Sequence, residues 1–378
     1  MKNQLGQFFT TNSDYILQGL EPFVRGKCIS DPFAGNQDLI KWAQKNDCKK
    51  ISGFDYDRKY VDGKKIKYND SINNPKIYKF VLTNPPYLHK NKADNIIKEK
   101  FFSGRNAFFE DLYQVSILSA IDCEEGIFIV PLNFLSAENS QRIRNIFFDK
   151  FEIVKLNIFT QQVFEDTTYN VVSFYFIKKE GKREKNKFSA TIFPKGENID
   201  FIIEKRFGWQ MGGNFLNEVK KATNRLRVSR LTEESLRSGD QSVPLAFQNI
   251  KYTQNIRIDK GLKLTLEKNI LLLRAIDSKN GKKIQLEDIR NYGIYGLVGK
   301  NTSRNMAHII FGENISIEEQ EDIMTRFNRE LKENRDKYFS FFLTNFRDNG
   351  RKRISFDFVY KLINHIYEQK HQRQQILL

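Results

Sequence analysis

Short apolar runs alternate with longer amphipathic stretches through the first half of the chain. Runs rich in Ile, Val and Phe and bounded by turn residues read as strands of a sheet buried on both faces. They predict strands at Lys27–Ser30, Lys50–Phe54, Phe80–Thr83, Gly126–Pro131, Val154–Ile158 and Asn170–Lys178. The stretches between them predict helices over Ser13–Phe23, Asp38–Lys45, Asp111–Cys123 and Ser140–Lys150. The first helix is entered through Thr11-Asn12-Ser13-Asp14, which supplies N-capping side chains. Strand and helix in alternation is the signature of an α/β sheet with helices on both faces.

After about residue 190 the periodicity blurs. Lys268–Ile276 reads as a strand, and Ser316–Glu333 and Phe356–Gln369 as amphipathic helices, so this half is expected to be mixed α+β. The charged, glycine-bearing run Lys178–Lys187 separates the two halves. It is either a domain break or an exposed loop leading to a further strand at Phe188–Phe193. The break gives domains of residues 1–185 and 186–378.

Charge sharpens the division. Of 62 Lys+Arg and 46 Asp+Glu, residues 1–180 hold 25 and 22, and residues 181–378 hold 37 and 24. A basic second half beside a nearly neutral first half suggests a polyanion-binding module joined to a catalytic or cofactor module. No stretch has the uncharged apolar length of a membrane span, and Met1–Gln7 lacks an apolar signal region. The cysteines, Cys28, Cys48 and Cys123, fit reduced thiols of a cytoplasmic protein. His89, His308, His365 and His371 show no ligand spacing, so no metal is read.

Candidate chemistry gathers after the predicted strands. Asn84-Pro85-Pro86-Tyr87 follows Tyr78-Lys79-Phe80-Val81-Leu82, on the turn leaving a buried strand. The Asn84 side-chain oxygen and the Pro85 carbonyl are two acceptors for the two hydrogens of an exocyclic amino group. The prolines hold the backbone in place, and Tyr87 offers a ring face for stacking on a flat heterocycle. Asp31-Pro32-Phe33-Ala34-Gly35-Asn36-Gln37 forms a strand-to-helix bend where backbone can approach a ligand. Asp55, in Gly53-Phe54-Asp55-Tyr56-Asp57, stands where a carboxylate can accept from a ribose diol. Asp70, in Asn69-Asp70-Ser71-Ile72, can accept from an adenine amino group, and Gly6-Gln7-Phe8-Phe9-Thr10-Thr11 is a flexible aromatic segment ahead of the first helix.

In this order the segments resemble the amino-group DNA methyltransferases that use S-adenosylmethionine. More narrowly, residues 5–178 look like the gamma-class adenine-N6 enzymes of restriction–modification systems. The resemblance implies a Rossmann-like methyltransferase sheet over residues 1–185 and a basic target-recognition domain for double-stranded DNA over residues 186–378. By matching position, Thr10 lies against the methionine part of the cofactor, and Asp31, Phe33 and Gly35 form its amino-acid pocket. Asp55 holds the ribose, Tyr56 flanks the adenine, and Asp70 with Ser71 binds the adenine amino group. Asn84, Pro85, Pro86 and Tyr87 form the catalytic loop. Asp111-Leu112-Tyr113 packs beside the cofactor, and Gly126–Leu135 supplies the next strand and loop. Phe164, in Val163-Phe164-Glu165-Asp166, stacks on the extruded base opposite Tyr87, with Phe159 as its rival. The chain departs from the family pattern at Gln37, where a glycine is usual, and at Thr10-Thr11, where Thr-Pro is usual.

The implied reaction is direct methyl transfer to N6 of a flipped-out adenine, with no covalent intermediate. Candidate DNA contacts are Arg225, Arg227, Arg274, Lys300, Arg304, Arg351, Lys352 and Arg353. No Pro-Asp…Glu-x-Lys pattern is found, so a partner restriction endonuclease is expected to be a separate chain. Cytosine-N4, RNA adenine and protein glutamine methylation stay open, as does a DNA-binding protein with a vestigial methyltransferase fold.

Overall fold

The structure, a computed structural model, describes residues 6–165, 169–278, 281–335, 337, 339, 342 and 352–376. Asp166 and Arg351, named above, lie outside the described residues, as do Met1–Leu5. The chain divides into two compact units, one within Met1–Gly213 and one within Asn214–Phe346 and Arg351–Leu378.

In the first unit nine strands form one sheet. They are β1 (Cys28–Asp31), β2 (Lys50–Asp55), β3 (Ile66–Tyr68), β4 (Tyr78–Thr83), β5 (Cys123–Pro131), β6 (Phe151–Phe159), β7 (Val171–Lys178), β8 (Lys185–Phe193) and β9 (Glu197–Glu204). Their order is β3-β2-β1-β4-β5-β7-β6-β8-β9. The first five run parallel, and β7 is inserted antiparallel between β5 and β6. Phe80, Val81, Leu82, Ile127, Phe128, Ile129, Val172 and Phe174 are all buried, so both faces of the central strands are covered. The covering helices include α1 (Ser13–Ile16), α2 (Asp38–Lys45), α3 (Asn95–Phe101), α4 (Leu112–Ser119), α5 (Asn133–Ser136) and α6 (Gln141–Lys150). The chain thus has the expected α/β, Rossmann-like sheet.

Two expected helices are shorter than their patterns. The Ser13–Phe23 segment is a single α-turn, α1, followed by a 3-10 turn at Glu21–Phe23. Gly19, at φ +74°, breaks it. The segment expected over Asp111–Cys123 ends at Ser119 because Cys123 already starts β5.

The division after residue 185 is also corrected. Strand β8 pairs in parallel with β6 from Lys155↔Ser189 to Phe159↔Phe193, and β9 pairs back on β8. The charged run is therefore the connection between two strands of one sheet, and the compact unit extends to Gly213.

The second unit is mixed. Strands Gln241–Phe247, Asn249–Ile258 and Gly296–Val298 form one small sheet, and Ser229–Arg230, Leu271–Arg274, Gln285–Asp288 and Met306–Ile310 form another. Helices Ile317–Asn334 and Phe356–Ile376 bury Ile323, Phe327, Val359 and Leu362 in a core shared with Leu271, Leu273 and Ile309. No described helix is long and apolar enough to cross a membrane.

Candidate active site

Strands β1 and β4 are neighbours, yet the chain continues from β1 to β2 on one side and from β4 to β5 on the other. Connections that diverge in this way leave a crevice at the carboxyl ends of the two strands, the usual ligand position in an open parallel sheet. A cavity, partly open to solvent, lies there. Its lining includes Thr10, Asp31, Phe33, Gly35, Asp55, Tyr56, Asp70, Ser71, Asn84 and Pro86, all singled out from the sequence. Leu112, at the start of α4, also lines it.

Asp31 ends β1 and is 1% exposed. Its Oδ1 accepts from the Phe33 amide at 3.1 Å and from the Thr83 hydroxyl at 2.7 Å, which ties β1 to β4. Its Oδ2 is buried with no hydrogen-bond partner among the described residues. Burial pushes the carboxyl up to about 7, and the nearby carboxylates of Asp55 and Asp38 add to the effect. A buried carboxylate left half-satisfied is costly, and an arriving cation would relieve it. The ammonium of S-adenosylmethionine fits that requirement.

Asp55 closes the adjacent strand end. Its Oδ2 accepts from the Gly35 amide and its Oδ1 from the Asp57 amide, each at 2.8 Å, so one carboxylate pins two loops. Each oxygen keeps a lone pair for a sugar hydroxyl. Asp70 accepts from the Asn73 backbone and side chain, and Lys100 of α3 brings its ammonium to 3.6 Å. Lys100 also donates to the Tyr56 hydroxyl at 2.7 Å and sits 4.0 Å above the centroid of that ring. Nothing in the pattern around Lys100 pointed to this position, because it depends on how α3 folds back over the strand ends.

The Asn84 amide is oriented by three contacts. Its Nδ2 donates to the Phe8 carbonyl at 2.8 Å and to the Thr10 hydroxyl at 3.0 Å, and its Oδ1 accepts from the Tyr87 hydroxyl at 2.6 Å. The Tyr87 oxygen also lies 3.0 Å from the Ile129 carbonyl at the end of β5. The Tyr87 amide donates to the Gly6 carbonyl at 2.9 Å. Gly6 has φ +64°, and a Cβ there would come within 2.7 Å of the Leu88 nitrogen, so glycine is required. The segment Gly6–Thr10 is thereby laid along the Asn-Pro-Pro-Tyr loop, whose two prolines are buried.

The aromatic side chains require a correction. Tyr87 does not present an open ring face, being only 3% exposed. Its ring lies 5.4 Å from Phe8, 6.3 Å from Phe164 and 6.3 Å from Tyr169. Phe8 stacks on Phe164 at 6.0 Å and 18°, while Tyr87 and Phe164 are tilted by 63° and form no slot. Apolar rings close over one another because water is a poor neighbour for their faces. Burial also raises the Tyr87 hydroxyl well above its usual range. Phe159 stands apart, fully buried and stacked on Phe193 at 5.2 Å.

Several expected DNA contacts are already engaged. Arg274 pairs with Glu287 at 2.9 Å, the two side chains being only 12% and 9% exposed, so it is a structural cation rather than a surface contact. Arg225 pairs with Glu368 and Arg227 with Glu313. Lys352 donates to the Arg335 carbonyl, while Lys300 and Arg304 are exposed.

Residues 17–164 match the model of the Eco57I restriction-modification methylase family. No curated protein matches the chain. Among solved structures, the EcoKI M protein of a type I restriction enzyme is 15% identical over 51% of this chain and 50% of its own, with a TM-score of 0.39. The type IIG restriction endonuclease BpuSI is 13% identical over 68% and 44%, at 0.41. The type I restriction-modification methyltransferase subunit from Streptococcus thermophilus is 14% identical over 50% and 48%, at 0.35. This chain therefore spans about half the length of these proteins, and likenesses of this size carry no weight for function. The residues that match the family model hold strands β1 to β6 and the Asn-Pro-Pro-Tyr loop, all within the first unit.

Proposed function

We propose that this protein is a site-specific DNA methyltransferase of a restriction–modification system. It transfers a methyl group from S-adenosylmethionine to N6 of an adenine flipped out of double-stranded DNA. The observation that carries this reading is one cavity joining the unpartnered Asp31 Oδ2 to the oriented amide of Asn84. S-adenosylmethionine, when bound, supplies an electrophilic methyl on a sulfonium centre.

Each residue then has a task set by its chemistry. Asp31 holds the ammonium, Thr10, Phe33 and Gly35 border the amino-acid portion, Asp55 takes the ribose, and Tyr56, Asp70 and Ser71 surround the adenine. The remaining lone pair of Asn84 Oδ1 and the Pro85 carbonyl accept the two amino hydrogens of the target. Holding both favours a pyramidal nitrogen with its lone pair aimed away from the ring, so positioning does most of the work. Flipping the adenine costs a few kcal/mol. Stacking on Tyr87 and Phe164, at roughly 1–3 kcal/mol per base, offsets much of it once Phe8 withdraws. The basic second half supplies phosphate contacts.

The test is transfer of labelled methyl from S-adenosylmethionine to mixed genomic DNA, followed by nucleoside analysis. Label in N6-methyladenine is the expected result. Label in N4-methylcytosine or in RNA, or no transfer despite cofactor binding, overturns the assignment. Asn84→Ala is expected to lower methyl transfer by roughly 100-fold or more with a much smaller loss of cofactor affinity, since it removes the acceptor that places the target nitrogen while Asp31 and Asp55 stay in place.

A further inference from the structure

We infer that the strand Asn249–Ile258 is a DNA-reading ribbon, an inference that rests on the DNA methyltransferase reading. The strand pairs antiparallel with Gln241–Phe247, from Gln241↔Ile258 to Ala246↔Thr253, and is the outer strand of its sheet. Ile250, Ile256 and Ile258 fasten it to two small cores. Its other side chains are exposed, and Tyr252 is 68% exposed. Gln248, at φ +58°, turns the hairpin, and a register shift beyond Ala246 throws Ile250–Tyr252 out of the ladder.

Charge selects the partner. The three strands of this sheet contain two charged residues, Lys251 and Arg257, and no carboxylate. Neither cation has an ion pair among the described residues, whereas Arg225, Arg227, Arg274, Arg290 and Arg326 are all paired. Charge on an edge strand serves to prevent sheet-to-sheet pairing. That role explains the lysine but not an exposed tyrosine beside Gln254 and Asn255. A polyanion presenting base edges accounts for all of them. Carboxamides match the edge of adenine, and arginine matches guanine or phosphate. None of these positions stood out in the sequence, where the strand is a polar stretch without a motif.

The test is binding of the full chain to duplex oligonucleotides over a range of salt concentrations. Each lost phosphate contact lowers the slope of log affinity against log salt by about 0.9. Lys251→Ala/Arg257→Ala is expected to reduce the slope by nearly two and affinity at least tenfold, with melting temperature and cofactor binding unchanged. Lys251→Arg/Arg257→Lys is expected to keep the native slope, which separates charge from folding. A native slope in the double alanine variant, with duplex binding intact in the parent chain, overturns the ribbon but not the enzyme. Absence of duplex binding by the parent chain overturns the DNA reading itself.

Discussion

Asp31 is where pH acts on the site. Its carboxyl is held at about 7 when folded, against 3.8 for a free side chain, so the folded protein binds the proton more tightly than the unfolded chain. This group therefore contributes least to stability above about pH 7 and favours the folded state increasingly as pH falls toward 4. Cofactor binding has the opposite preference, because an ammonium needs the charged carboxylate. Affinity for S-adenosylmethionine is expected to weaken up to tenfold per unit as pH falls below about 7. Calorimetric titrations across that range check this, and Asp31→Asn is expected to bind weakly with a flat profile. Gln37 is the second residue with a measurable consequence. It caps α2 at φ +68°, a left-handed conformation that costs a non-glycine residue roughly 1–2 kcal/mol. Its side chain reaches Asp62 at 3.2 Å and so recovers little in solvent. A glutamine at this turn is thus tolerated with strain. Gln37→Gly is expected to match or exceed the parent in urea unfolding, and Gln37→Val to fall below it by roughly 1–2 kcal/mol.

Strand β8 shows how an element escapes sequence reading. It begins Lys185-Asn186-Lys187-Phe188, and its exposed lysines alternate with buried Asn186 and Phe188. The period of two is present, but one inward position is polar, so the run looks like a linker. Asn186 is buried because β6 has a bulge: Ile153 pairs with Phe176 and Lys155 with Tyr175, leaving Val154 extra. The Asn186 side chain accepts from the Ile153 amide at 2.8 Å and donates to its carbonyl at 2.9 Å, replacing the missing strand partner. Asn186→Leu leaves both groups unpaired in a buried sheet and is expected to cost roughly 2–4 kcal/mol in denaturant unfolding. Strands whose inward positions are wholly apolar, such as β4 and β5, were legible because burial and sequence agree there.

For the molecule, the position of the boundary is testable with two fragments. One ending at residue 213 retains the whole sheet, whereas one ending at residue 185 removes β8 and β9 and bares the edge of β6. Only the longer fragment is expected to stay monomeric and to bind S-adenosylmethionine, as read by gel filtration and calorimetry. Equal behaviour of the two would restore the earlier boundary.

What the sequence determined by itself is the convergence of the candidate site. In a parallel sheet the carboxyl ends of neighbouring strands share one edge, so Asp31, Asp55 and Asn84 had to meet once β1, β2 and β4 were recognised. Tertiary structure alone decided the direction of the Asn84 amide, the closure of Phe8 over Tyr87 and Phe164, and the placement of Lys100 on Tyr56. It also decided that Arg225 and Arg274 of the second half are ion-paired. Strand order follows from local pattern and chain direction. These other features depend on contacts between residues many tens of positions apart, which no local pattern encodes.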